Sequence, residues 1–134
     1  MKDIQKLLKP IVTEFQTEIP DANPEIYNVT YDLWTLKITL GFDDIKSPIY
    51  VIFKNVVGFR VLDEGNLLEF WDKDVRVPGW IWRVESGGWF ELEKLRAGFL
   101  AQHHGDSHNE YLISGINDCL SVIAESEPIV MKAE

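Results

Sequence analysis

Cysteine is nearly missing from this chain: Cys119 stands alone, so no internal disulfide can close. That excludes a disulfide-stapled secreted scaffold and suits a reducing compartment. Cys119 lies in an apolar run (CLSVIA), which predicts a buried structural thiol, because buried Cys behaves as a small hydrophobe. Long apolar runs are missing too, and none approaches the roughly 20 residues of a membrane-spanning helix. The opening residues MKDIQKLLKPIVTEF have neither the apolar stretch nor the small-residue cleavage site of a secretory signal. A soluble, cytoplasmic protein is the expectation. Positive charge is scarce as well: 13 Lys and Arg stand against 22 Asp and Glu, a formal net charge of −9. A field of that sign repels phosphate backbones and anionic lipid, so nucleic acid and membranes are poor partners. It favours a basic partner, or serves solubility alone.

What is present is an ordinary globular composition, 46% hydrophobic and 26% charged over 134 residues. That length suits one domain spanning residues 1–134, with a core that needs no covalent staples. In residues 2–18 (KDIQKLLKPIVTEFQTE), Ile4, Leu7, Leu8, Ile11 and Phe15 form one apolar stripe at helical spacing. The sequence therefore predicts an N-terminal helix, kinked or divided at Pro10. Residues 19–25 (IPDANPE) read as a loop.

The periodicity then changes to two. Trp34, Leu36, Ile38 and Leu40 share a face opposite Thr35, Lys37 and Thr39. The run PIYVIFKNVVGFRVLD reads as two strands broken near Lys54 and Asn55, with a hairpin connection over residues 41–48. Residues 64–74 (EGNLLEFWDKD) suit a short helix with Leu67, Leu68 and Trp71 inward. Trp80, Trp82 and Val84 alternate with Ile81, Arg83 and Glu85 up to the Gly87-Gly88 pair. Two further strands follow at 111–115 and 119–124, joined by a tight turn at 116–118, with a short edge at 129–131. Strands in sequence without long helices between them argue for an α+β domain, mainly antiparallel sheet with the N-terminal helix on one face. Leu36, Ile38, Ile52, Phe59, Val61, Trp82, Ile113 and Val122 are the expected core, together with Trp34 and Trp80.

Chemistry is harder to find. There is no nucleophile elbow, no phosphate loop and no cysteine–histidine signature. Glu85, Glu91 and Glu93 lie beside tryptophans, whose rings raise a carboxyl pKa by desolvation as a general acid requires. Nothing in the sequence fixes a separation between them. His103, His104, Asp106 and His108 carry metal-ligand chemistry, but their spacing matches no known zinc pattern, and a polar surface loop without metal is the plainer expectation. No cofactor is expected.

Trp71 and Trp89 neighbour Glu69, Asp72, Asp74, Glu91 and Glu93, with Asp63 and Glu64 just upstream. Aromatic rings among carboxylates suit the rim of a protein interface, or half-buried rings on a solvated edge. Asp63, Glu64, Glu69, Trp71, Asp72, Asp74, Trp89, Glu91 and Glu93 are thus the candidate partner-binding residues.

The ordered phrases VIFKNVVGFRVLDEGNLLEFW, GWIWRVESGGWFELE and EYLISGINDCLSVI resemble small bacterial immunity proteins. These are the cognate inhibitors of polymorphic toxins in contact-dependent growth inhibition and Rhs systems. The resemblance spans roughly residues 51–123. It implies a non-enzymatic role, the neutralising binding of one toxin domain, and supplies no catalytic residues. A basic nuclease-type toxin would suit the acidity of the chain. A small carboxylate-dependent enzyme, a hydrolase acting on carbohydrate, and a non-catalytic adaptor subunit are the rival expectations.

Overall fold

Alternation of buried and exposed side chains organises the middle of the chain, as seen in a computed structural model that describes residues 9–19, 23–63, 65, 67–71, 75, 77–96 and 108–133. In chain order the strands are β1 (Ile11–Glu14), β2 (Glu25–Tyr31), β3 (Thr35–Phe42), β4 (Ile45–Lys54), β5 (Val56–Asp63) and β6 (Ile81–Ser86). The short helix α1 (Trp89–Glu93) precedes β7 (Asn109–Ser114), β8 (Asp118–Ala124) and β9 (Ile129–Lys132). They make two antiparallel sheets, a five-stranded one in the order β1-β6-β7-β8-β5 and a four-stranded one in the order β2-β3-β4-β9. No helix among the described residues is long and apolar enough to cross a membrane.

The main core lies between the sheets. Leu36, Ile38 and Leu40 of β3 and Ile49, Val51 and Phe53 of β4 face Ile81, Tyr111, Ile113, Leu120 and Val122. Each such aliphatic side chain contributes about 1.5–3 kcal/mol on full burial. Aromatic contacts bridge the layers: Phe53 meets Tyr111 at 5.4 Å and Phe42 meets Trp80 edge-on at 5.2 Å. A second cluster covers the outer face of the five-stranded sheet. There Val12, Trp82, Val84, Leu112 and Cys119 pack under Leu67, Phe70 and Val75. Cys119 is fully buried, as its apolar run predicts.

The strand break at Asn55 is present, and Asn55 takes a left-handed φ of +56° that turns the chain from one sheet to the other. The hairpin between β3 and β4 closes over Asp43 and Asp44. The edge strand β9 pairs with β4, matching Ile52 to Ile129 and Ile49 to Lys132.

Several expectations need correction. Instead of continuing a helix over 2–18, Ile11–Glu14 forms β1, which pairs with β6 in the register Val12↔Val84. Pro10 biases Lys9 away from helical backbone, and the β-branched residues Ile11, Val12 and Thr13 fit a strand once β6 supplies the partner. Residues 1–8 lie outside the described residues. Among the described residues no N-terminal helix packs on the sheet, so that part of the α+β expectation is not supported. Among the described residues of 64–74 there is a 3-10 turn, Leu68–Phe70, in place of a longer helix.

Trp34 is 75% exposed, not core, and Val61 is 46% exposed. Ile52 and Phe59 are half-buried. Trp80 and Trp82 are both buried, but on opposite sides of the five-stranded sheet. Strand β2 and helix α1 were not evident from the sequence pattern.

Candidate functional site

Helix α1 begins where the strand before it runs out. Gly87, at φ +75°, turns the chain so closely against Lys9 that an added Cβ would stand 2.3 Å from the Lys9 carbonyl oxygen. Only glycine fits that position. The first two residues of α1 expose N–H groups, and a carboxylate from another strand meets them. Glu110 of β7 accepts from Trp89 N–H at 3.1 Å and from Phe90 N–H at 2.8 Å. Glu110 is 2% exposed. Burial pushes its pKa up to about 7, against the pull of the two N–H groups and of the Arg60 charge. It was not among the sequence candidates; an acid inside the apolar strand EYLI was the available signal.

Arg60 of β5 lies half-buried on the same outer face, its guanidinium 5.1 Å from the Trp89 ring centre. Burial lowers its pKa, while Glu110, Glu69 and Glu93 act to keep it charged. Glu69 and Glu93 come from separate stretches of sequence, and both act on this one guanidinium. The two acidic stretches singled out in the sequence therefore approach each other here. Glu93 is further tied down, accepting from Trp89 Nε1 at 3.0 Å and pairing with Arg96.

The other candidates divide. Trp71 packs on Trp82 at 6.3 Å and belongs to the outer core cluster more than to a free rim. Asp63 is exposed and accepts from the Gly65 N–H at 2.8 Å, a local turn contact. Glu64, Asp72 and Asp74 lie outside the described residues. Glu91 lines a cleft of about 220 Å³ with Arg83, Glu85, Lys94, His108 and Glu110. Glu93 does not line it, so the three glutamates weighed as catalytic do not converge as a set.

The turn between β2 and β3 supplies what the sequence missed. Asp32 Oδ1 accepts from Thr35 N–H at 2.7 Å and Trp34 N–H at 3.0 Å, which holds its carboxyl below the ordinary range. Within that clamp Leu33 adopts φ +80°, a strained setting for a leucine. The strain turns Leu33 and Trp34 outward, 76% and 75% exposed. The Trp34 carbonyl accepts from Asn55 N–H at 3.2 Å, and the Asn55 carbonyl accepts from Glu125 N–H at 3.2 Å. Three residues further along, the Trp89 ring lies against Gly58, 3.5 Å from where a Cβ would stand. Three residues of strand span about 10 Å. Residues 55–58 thus run from the Trp34 main chain to the Trp89 ring, with Val57 39% exposed between them.

Of the histidines, His103 and His104 lie outside the described residues. His108 is buried, not in a surface loop, with Nε2 3.4 Å from Glu125 Oε1 and its ring edge-on to Phe90 at 6.2 Å. Among the described residues no three His, Cys, Asp or Glu side chains gather as a metal site. Set beside known proteins, the chain matches no family model, no curated sequence and no solved structure.

Proposed function

We propose that this chain is an immunity-type protein of the cytoplasm that binds and neutralises a basic toxin domain, without catalysis of its own. One observation carries it: residues 55–58 link the main chain of the exposed Trp34 to the Trp89 ring, with Leu33 and Val57 exposed and Glu69, Glu93 and Glu125 close by. Exposed tryptophan on a clamped turn supplies an anchor whose geometry is fixed before the partner arrives. Carboxylates at its edge steer a cationic partner and raise the association rate. A backbone held at positive φ to keep two large apolar side chains in solvent works against stability, so a role in binding accounts for it better than folding does. The resemblance of the ordered phrases to immunity proteins agrees with this reading.

Immobilised protein used to recover its partner from the native host tests this directly. A basic protein retained by the parent and lost from a folded Trp34→Ala variant is the expected result. With that protein in hand, Glu69→Lys and Glu93→Lys should slow association and flatten its salt dependence. Unchanged kinetics in all three folded variants would sink the surface, and an acidic partner would sink the charge logic.

A second reading has one observation behind it. Glu110, with its pKa near 7, borders the 220 Å³ cleft shared by Glu85, Glu91 and His108. Those are general-acid conditions for a small hydrolase. Both carboxylate oxygens are already engaged by main-chain N–H groups, so the capping role comes first. Turnover of chromogenic glycosides by the parent, abolished in a folded Glu110→Gln variant, would favour this reading over the first.

A further inference from the structure

The two flanks of the sandwich end differently. On one flank the edge strands β2 and β5 meet, with Tyr31 edge-on to Phe59 at 5.2 Å. Counting inward from there, β3 faces β8, β4 faces β7 through the Phe53–Tyr111 contact, and β9 faces β6. Opposite β1 the four-stranded sheet has no strand among the described residues. Ile11 of β1 is accordingly 60% exposed. The space beside β9 is a cleft of about 680 Å³, within the ordinary range for ligand sites. Phe15, Ile19, Ile45, Val130 and Met131 supply its apolar lining, and Glu18 and Lys132 are among its polar lining residues.

The main chain of β9 is oriented to pair a second time. Ala133 N–H donates to the Pro48 carbonyl at 2.9 Å, in register with the β4–β9 ladder. Main-chain groups of an antiparallel strand point alternately to either side. The main-chain groups of Ile129 and Met131 therefore face β4, and those of Val130 and Lys132 point to the edge that no described strand covers. The Val130 side chain meanwhile packs on the inter-sheet core. Behind Phe15, at 5.9 Å and perpendicular to it, stands Tyr111, whose hydroxyl is buried without a hydrogen-bond partner.

We infer that this cleft receives an extended, basic segment of a partner protein as a fifth strand beside β9. Main-chain pairing to Val130 and Lys132 provides the affinity, and every second side chain of the segment enters the apolar floor. Charge selects a foreign segment over a second copy. Glu18 lines the cleft, Glu127 precedes the lining residue Pro128 and acts on Tyr111 behind it, and each copy already carries a net charge of −9. The site lies on the flank away from the Tyr31–Phe59 closure and does not depend on the surface assigned above.

A random dodecapeptide library displayed on phage is the probe, selected on the parent protein and on Val130→Pro. Proline removes the outward N–H of Val130 and leaves the β4 ladder intact, since edge positions tolerate it, and a matching thermal melt verifies the fold. The expected result is enrichment on the parent of peptides with alternating apolar residues and Lys or Arg. These should bind the variant roughly tenfold or more weakly, and N-methylation of alternate peptide bonds in the ligand should abolish binding. Amide shifts in the labelled protein should fall at 15–19 and 129–132. Equal enrichment on parent and variant, no enrichment at all, or shifts elsewhere would overturn the inference. Sedimentation showing a dimer of the parent that Val130→Pro dissolves would overturn the choice of a foreign strand.

Discussion

Strands β3 and β8 are both interior to their sheets, yet they are buried in different ways. In β3 every second residue is buried and its neighbours are half-exposed. In β8 every residue after Asp118 is buried. The four-stranded sheet has one face on the core and one in water, where Lys37 lies over the Tyr50 ring at 3.9 Å. The five-stranded sheet is covered twice, by its partner sheet and by the residues around Phe70, Val75 and Phe90. A double cover leaves polar groups such as Glu110 and Ser121 inside it, and Ser121 Oγ has no hydrogen-bond partner. The wet-faced sheet supplies ordinary stability, and the covered one holds the titratable group.

Removing the cover tests that contrast most severely. Trp82→Ala empties the outer cluster and should destabilise the fold by about 3–5 kcal/mol, while Ile52→Thr on the open face should stay within about 1 kcal/mol. Urea unfolding of both variants compares them, and similar losses would mean that the outer cluster is no second core.

Acidity offers the next contrast. Glu110 has a folded pKa near 7 against an ordinary value of 4.5, so the folded state holds its proton more tightly. Its contribution is complete below the ordinary value and is lost as pH rises through about 7. Stability should fall by on the order of 3 kcal/mol across that window. The Glu110→Gln variant should lose this slope, and a parallel slope in parent and variant would assign it elsewhere. Smaller still is the backbone effect: Gly87→Ala should cost about 1–3 kcal/mol through its left-handed φ and the Lys9 contact, whereas Gly58→Ala should be near neutral. Equal melting temperatures for the two would remove the tight turn before α1 from the account.

The same contrast explains what was legible in the sequence. Alternation marks β3 because one face is wet. It misleads at Trp34, which shares the parity of Leu36 but lies in a turn where Leu33 at φ +80° reverses the chain. Val61 has inward parity, yet it belongs to an edge strand, and its side chain stays nearly half exposed. β1 resembles a helix because Ile4, Leu7, Leu8, Ile11 and Phe15 fit a helical stripe, and its true partner β6 is far away in the chain. The acidic stretches were visible, but nothing local shows that Glu69 and Glu93 act on Arg60.

The order in which the sheets acquire their strands has a kinetic consequence. β1 joins the five-stranded sheet only through β6, and β9 returns to the four-stranded sheet after every strand of the other sheet has been made. The two sheets are therefore interleaved along the chain, and neither can be completed by one contiguous segment. Loop closure over most of the sequence must precede the contacts that reward it, which places refolding in the slow, milliseconds-to-seconds regime of non-local β topologies. On the ribosome β9 emerges after the other described strands, so a nascent chain holds the four-stranded sheet one strand shorter until residue 132 has been made.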